Sequence, residues 1–266
     1  MKKCLMLLIL MVCVCFAGCR KNGEEKKTSD HHKASEETAQ KVTEEAAADK
    51  EKKIMIAIDP GHQKEQMTDQ EPIGPGASET KPKVASGTQG VVTKEPEYQV
   101  TLQVSQKLKQ VLKTKGYDVY MIRETNDVEL SNRERAQMAN GSGASVFLRL
   151  HCNGDDNSSV NGALTMCPTE SNPYCSEIAG DSLKLSEVIV SSLCQSTGAK
   201  NRGVIRTDQM SGINWCEIPV TIVEMGFMSN PEEDRKLVSE SYQEKLAKGI
   251  AEGVDQYFKQ QKEDDE

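Results

Sequence analysis

The sequence predicts an α/β fold: one domain with a central, mostly parallel twisted sheet and helices on both faces, preceded by a disordered tether. Three observations carry this. From residue 54 onward, short apolar runs alternate with segments of helical period, the pattern of a layered sheet. The last helical segment sets Tyr242, Leu246, Ile250, Val254 and Phe258 four apart, which makes one core-facing stripe. Before residue 54, by contrast, Arg20–Lys53 holds nine basic and nine acidic residues, no aromatic residue and only Val42 as a branched aliphatic. Such a segment buries too little surface to offset the entropy of ordering. As a coil it would reach roughly 30 Å, at about 5–6 Å times the square root of its length.

The elements follow in order. Ile54–Ile58 is a short apolar run that ends at Asp59-Pro60-Gly61, a buried strand entering a loop. A long segment with Gly, Pro and Ser follows, from Gln63 to about Lys94, and is expected to be loop. Glu95-Pro96-Glu97 opens a helix, since proline suits a first turn. Tyr98, Leu102, Leu108 and Leu112 give that helix its face, and Gly116 closes it. Tyr117–Ile122 is strand-like, Ser131–Asn140 helical, and Ser145–Leu150 a further strand. Ala163–Cys167 is read as a strand and Leu183–Cys194 as a helix. Val220–Met225 is an apolar strand interrupted by Glu224. No internal repeat is visible.

The chain's first residues read as an address. Lys2 and Lys3 precede a mostly apolar stretch, Leu5–Ala17, of 13 residues, short of the ~20 a spanning helix needs. It ends Phe16-Ala17-Gly18-Cys19, then turns polar. Small residues before a cysteine resemble the bacterial lipoprotein cleavage box, in which Cys19 becomes the lipidated N-terminus of the mature protein. An ordinary signal peptide or a short anchor helix is the alternative. The expected division is residues 1–18 signal peptide, 19–53 lipidated cysteine and linker, and 54–266 catalytic domain. Either way the protein leaves the cytoplasm; the lipoprotein reading holds it on the membrane through its lipid, facing the cell wall.

Composition narrows the function classes. The 266 residues carry a net charge of −8 and are 36% hydrophobic and 4% aromatic. With a single apolar run, a multi-span membrane protein is excluded. No basic stripe with interleaved aromatics is present, so nucleic acid is not an expected partner. Of nine cysteines, Cys152, Cys167, Cys175, Cys194 and Cys216 belong to the mature domain. That odd number leaves a small Cys167–Cys175 loop and free thiols as alternatives.

Two histidines carry the chemistry. His62 follows the first strand in Asp59-Pro60-Gly61-His62, and His151 follows the Ser145–Leu150 strand in His151-Cys152-Asn153-Gly154. In open α/β sheets, sites lie at such strand exits. Two imidazoles and one carboxylate would make a three-ligand catalytic metal site. His31 and His32, on the charged linker, are read as solvated. Cys152 would point to the opposite sheet face from His151 and is not an expected ligand.

Here the chain resembles the zinc-dependent N-acetylmuramoyl-L-alanine amidases of the AmiC/CwlD type, across essentially all of residues 54–266. The likeness rests on Ile58–His62, Glu97–Leu102, Arg123–Thr125, Leu130–Arg135 with Ala139-Asn140, Leu150–Asn153, and the long run from Pro219 to Pro231. It implies that His62, Glu97 and His151 bind Zn2+ and that Glu224 is the catalytic carboxylate. Glu97 is preferred to Glu95 because the family's ligand stands five residues before a helix leucine, here Leu102. Glu95 is then a charge favourable at a helix start. The implied substrate is peptidoglycan, cut between N-acetylmuramic acid and L-alanine, during growth, separation or sporulation. The alternatives are another zinc peptidoglycan peptidase on the same scaffold, and a wall-binding lipoprotein without catalysis. Arg123, Arg133 and Arg135 are expected in structural ion pairs. Asn153 and Trp215 are candidates for substrate contact. Three departures from the family pattern stand out: Gln63-Lys64-Glu65 replaces a glycine-rich stretch, the segment from His62 to Glu97 is long with Gly74-Pro75-Gly76-Ala77 inside it, and Arg149 stands where a serine is common.

Overall fold

The computed structural model describes residues 53–264. The signal, Cys19 and all but the last residue of the linker lie outside the described residues. Within them no helix is long and apolar enough to cross a membrane.

The strands are β1 (Met55–Pro60), β2 (Met67–Pro72), β3 (Thr80–Val84), β4 (Asp118–Met121), β5 (Val146–Asn153), β6 (Ala163–Cys167), β7 (Asn201–Arg206) and β8 (Val220–Phe227). The helices are α1 (Glu97–Thr114), α2 (Asn132–Gly141), α3 (Ala179–Thr197), α4 (Ser211–Asn214), α5 (Pro231–Leu237) and α6 (Glu240–Asp264). A six-stranded sheet runs β4-β1-β5-β8-β6-β7. Its first four strands are parallel, while β6 pairs antiparallel to β8 and parallel to β7. The expected mostly parallel sheet is therefore present, with an antiparallel junction at β8/β6.

Alternation along the strands separates two cores. One face presents Ile56, Ile58, Leu148, Leu150 and Val223 to α1, α3 and α6. The other presents Ala57, Phe147 and Ile222 to α2 and α4. The stripe read on the last helix is buried at Leu246, Ile250 and Val254, with Tyr242 and Phe258 packed at its edges. Helix α2 starts where Ser131 accepts from Glu134 N and Glu134 reaches back to Ser131 N, a reciprocal capping box.

The segment expected to be loop between His62 and Lys94 instead contains the antiparallel pair β2–β3. Its strands carry Thr, Asp, Gln, Glu and Lys with little apolar alternation. The hairpin is held from outside: Trp215 Nε1 donates to Pro72 O at 3.0 Å, Arg133 N to Glu71 Oε1 at 3.1 Å, and Asn132 Nδ2 to Lys83 O at 3.0 Å. Strand β7 and helices α4 and α5 likewise have no counterpart among the elements expected from the sequence. The Cys167–Cys175 loop is not closed: the five described cysteines are free, buried thiols. Burial pushes Cys175 up to about 12 and Cys194 up to about 11.

Candidate metal centre

Three side chains from three elements meet at the exits of β1 and β5. His62 sits just past β1, Glu97 is the first residue of α1, and His151 lies near the end of β5. His62 Nε2 is 3.2 Å from Glu97 Oε1, His151 Nδ1 is 3.2 Å from the same oxygen, and the two ring nitrogens are 3.1 Å apart. One potential ligand atom from each lies within 4.8 Å of the others, a group that can hold a metal ion.

Backbone geometry sets this up. His62 has φ 59°, a left-handed conformation uncommon for a non-glycine residue. Its ring is held by Nδ1 donating to Ala85 O at 2.8 Å, which turns Nε2 toward the centre. Gly61 is required beside it, because a Cβ there would stand 2.4 Å from His151 Cε1. Glu97 receives Thr88 N at 2.7 Å on Oε2 and Cys152 N at 2.9 Å on Oε1. Cys152 itself turns into the opposite core, as strand alternation requires. Glu95 is only half-buried and accepts from Gln99 Nε2 at 3.1 Å, away from the group.

The electrostatics suit a cation. Burial disfavours the Glu97 charge, but hydrogen bonds from His151 and His62 outweigh it and hold the carboxyl well below its usual range. Burial lowers His151 to about 4, so its ring is neutral and able to donate a lone pair. His62 is raised: burial opposes its protonation, and the hydrogen bond and charge of Glu97 prevail. His151 Nε2 and Glu224 Oε2 are buried without a hydrogen-bond partner. Leaving such atoms unpaired costs about 1–3 kcal/mol each. Two at one place mark a site shaped for something other than stability.

Glu224 of β8 is the register partner of His151 on β5, so both side chains stand on the same sheet face. Burial first, then the nearby Glu97 charge, push it up to about 8. The arginines that would have paired it lie elsewhere. Arg135 Nη1 donates to Asp59 Oδ1 at 2.7 Å and Arg149 Nε to Asp59 Oδ2 at 3.0 Å. Of the three arginines expected in ion pairs, Arg135 is in one. Arg123 Nε donates instead to Pro60 O at 2.8 Å and its Nη2 to Tyr98 O at 2.8 Å. The Arg133 guanidinium lies 4.4 Å over the Trp215 ring.

His62, His151 and Glu224 line a cavity of about 300 Å³, with walls from the hairpin, Arg149 and the start of α4. These walls are not legible in the sequence: the hairpin has little strand alternation, and nothing in the chain's spacing brings Lys81 and Arg149 to one cavity. Trp215 packs beneath the hairpin, and Asn153 Oδ1 accepts from Gly154 N at 2.8 Å.

Residues 56–256 match the Amidase_3 model, described as N-acetylmuramoyl-L-alanine amidase. The chain belongs to this enzyme family. A relative in Bacillus subtilis (strain 168), N-acetylmuramoyl-L-alanine amidase LytC, is 29% identical over 163 residues. That match covers 61% of this chain but 31% of LytC, so the chain spans about a third of that relative's length. A solved N-acetylmuramoyl-L-alanine amidase from Clostridium difficile 630 is 25% identical, with TM-score 0.63, covering 78% of this chain and 97% of that one. Ami1 from Mycobacterium smegmatis superposes at TM-score 0.70 and 24% identity, covering 78% of this chain and 97% of its own, and shares the fold.

Proposed function

We propose that this member of the Amidase_3 family is a zinc-dependent hydrolase that cleaves the amide between the lactyl group of N-acetylmuramic acid and L-alanine in peptidoglycan. The observation that carries the reading is the convergence of His62, Glu97 and His151 beside the unpaired carboxyl of Glu224 in one cavity. Two imidazoles and one carboxylate are a donor set of catalytic zinc sites. Zinc bound there would supply a Lewis acid for the scissile carbonyl and lower the pKa of a water toward about 7.

The chain's residues do the remainder. Glu97 and the two histidines orient the reacting groups at the strand ends. Ala85 O fixes which nitrogen of His62 faces inward. Glu224 takes a proton from the attacking water as the C–O bond forms, and returns it to the departing L-alanine nitrogen as the C–N bond breaks. Burial and the Glu97 charge raise this carboxyl, and beside bound zinc it would return toward the neutral range, where one group can both take and give a proton. Ile222 and Met166 give the cavity an apolar wall. Asn153 and Trp215 are proposed to meet parts of a glycan strand that extend past it.

The test uses the zinc-loaded protein and purified peptidoglycan, with mass spectrometry of the released peptides. Free L-alanine amino ends support the amidase. Other new ends would identify a stem-peptide peptidase, and wall binding without release would identify a binding protein. His62→Ala and His151→Ala are each expected to lose stoichiometric zinc, read by metal analysis after dialysis. A metal-replete variant would remove that residue from the ligand set.

We further propose that residues 1–18 are a signal peptide, that Cys19 carries lipid, and that the linker through residue 53 tethers the catalytic domain 54–266 to a membrane facing the cell wall. Palmitate labelling in an expressing bacterium is expected, with loss on Cys19→Ala. A secreted, unlabelled protein would overturn the anchor.

A further inference from the structure

The sheet face that carries the metal group also carries a cation. Asp59, Arg149 and Ile222 are register partners across β1, β5 and β8, and Ile222 pairs onward with Met166 of β6. This row lies one strand repeat below the row of His151 and Glu224. Arg149 and His151 are two residues apart on one face, so their Cα atoms are about 6.7 Å apart.

Charge does not balance in that row. Asp59 is one carboxylate between two guanidiniums: Arg135 at 2.7 Å and Arg149 at 2.9 Å. One positive charge is therefore left over within the trio. Arg135 is fully enclosed and also donates to the Pro60 and His62 carbonyls. Arg149 is also buried, at 3% exposed, but forms part of the cavity wall. It uses Nε and Nη2 on Asp59 and Asn132. Nη1 lies against Gly212, where an ideal Cβ would stand only 1.2 Å away, so glycine is what lets the guanidinium sit there. Lys81, from β3 of the hairpin, lines the same cavity and is steadied by donating from Nζ to Gln209 O at 2.5 Å. Two cations from separate elements thus face a space walled by Ile222 and Met166, one strand repeat from the catalytic row.

We propose that Arg149 and Lys81 bind a carboxylate of the stem peptide and make the enzyme selective for substrates that carry one. This rests on the amidase reading. With the scissile carbonyl beside His151 and Glu224, the L-alanine methyl lies toward Ile222 and Met166. The next residue's carboxylate then falls about two Cα spacings on, roughly 7 Å, toward the part of the cavity that Arg149 and Lys81 line. The nearest such group in peptidoglycan is the α-carboxylate of the second, D-glutamyl residue, which is present as carboxylate or as carboxamide.

The experiment compares two N-acetylmuramoyl dipeptides, L-alanyl-D-glutamate and L-alanyl-D-isoglutamine, each with its γ-carboxyl capped as the methylamide so that only the α-group differs, with the full-length zinc-loaded protein. The wild type is expected to favour the carboxylate by about ten- to a hundredfold in kcat/KM, the range of a charge-assisted contact. Arg149→Gln should bring the ratio toward one, Arg149→Lys should restore part of it, and Lys81→Gln should reduce it several-fold. Lys81 is at the rim, so its variant remains informative where Arg149→Gln does not fold. Calorimetry with the free dipeptides reads the same preference without turnover. Carboxylate preference in binding with no cleavage of either substrate would leave the anion site standing and remove the amidase reading. Equal treatment of both ligands by the wild type, or an unchanged ratio in Lys81→Gln and Arg149→Lys alike, overturns the proposal.

Discussion

Glu224→Gln is expected to reduce cleavage of peptidoglycan by about 10²–10⁴-fold, the span a general acid–base contributes, while one metal ion per chain stays bound. The separation of the two readouts follows from position. Glu224 stands beside His151 across the β5/β8 register but is outside the group whose ligand atoms converge. Glutamine keeps its volume, so the cavity wall is preserved. What is lost is the ability to take a proton and hand it on. The substitution is also mild for the fold, because Glu224 Oε2 has no hydrogen-bond partner to abandon and an amide has no ionisation to suppress by burial. Retained turnover in the folded, metal-replete variant would take Glu224 out of the reaction. Simultaneous loss of metal would show that it acts as a ligand.

Much of this arrangement is legible in the chain because the chemistry sits where periodicity breaks. The strand Ala163–Cys167 has the bounds its apolar run predicts, and the C-terminal stripe falls on α6 as spaced. Glu224 announces itself as a carboxylate inside a run of Val, Ile and Met, where burial without a partner is costly. The two histidines declare themselves by following apolar strands. Glu97 over Glu95 was different: both flank Pro96, and local pattern alone left the choice to the family likeness. The structure places Glu97 against both histidines.

What stayed hidden depends on contacts distant in sequence. The hairpin β2–β3 has no apolar face of its own, and its Pro72 and Lys83 carbonyls are held by Trp215 and Asn132. No local rule reveals a strand whose partners lie so far along the chain. Arg123, Arg133 and Arg135 look alike in sequence, yet one caps carbonyls, one covers an indole and one neutralises Asp59. Their roles follow from the loops they meet after folding. Arg149 stands out in the sequence as a departure from the family pattern, and its purpose becomes arguable only because the fold brings it and Lys81 to the wall of one cavity.

Asp59→Ala is expected to destabilise the domain by about 3–5 kcal/mol, the cost of removing one partner from a buried ionic group. The carboxylate is fully buried and accepts from Arg135 and Arg149, both themselves enclosed. Without it two guanidiniums face one another across β1 with no anion between them. Arg135 also donates to His62 O and Gln63 Oε1, so the disturbance reaches the turn that aims a proposed zinc ligand. Asp59→Asn, which keeps shape and some acceptor capacity, should cost less. The pH dependence has a definite sign. Burial alone would raise Asp59, but the two arginines outweigh it and hold the carboxyl at about 2, against an ordinary 3.8. A folded-state value below the unfolded one gives stability that is complete above the unfolded value and is lost as pH falls toward the folded one. The gap in urea midpoint between wild type and Asp59→Asn should therefore be constant from about pH 7 to 5 and narrow from about pH 4 toward 2. Other carboxylates titrate in both proteins, so the difference isolates this one. A gap that stays constant through the acid range would mean that the arginines do not set the ionisation of Asp59, and the surplus charge assigned to Arg149 would lose its origin.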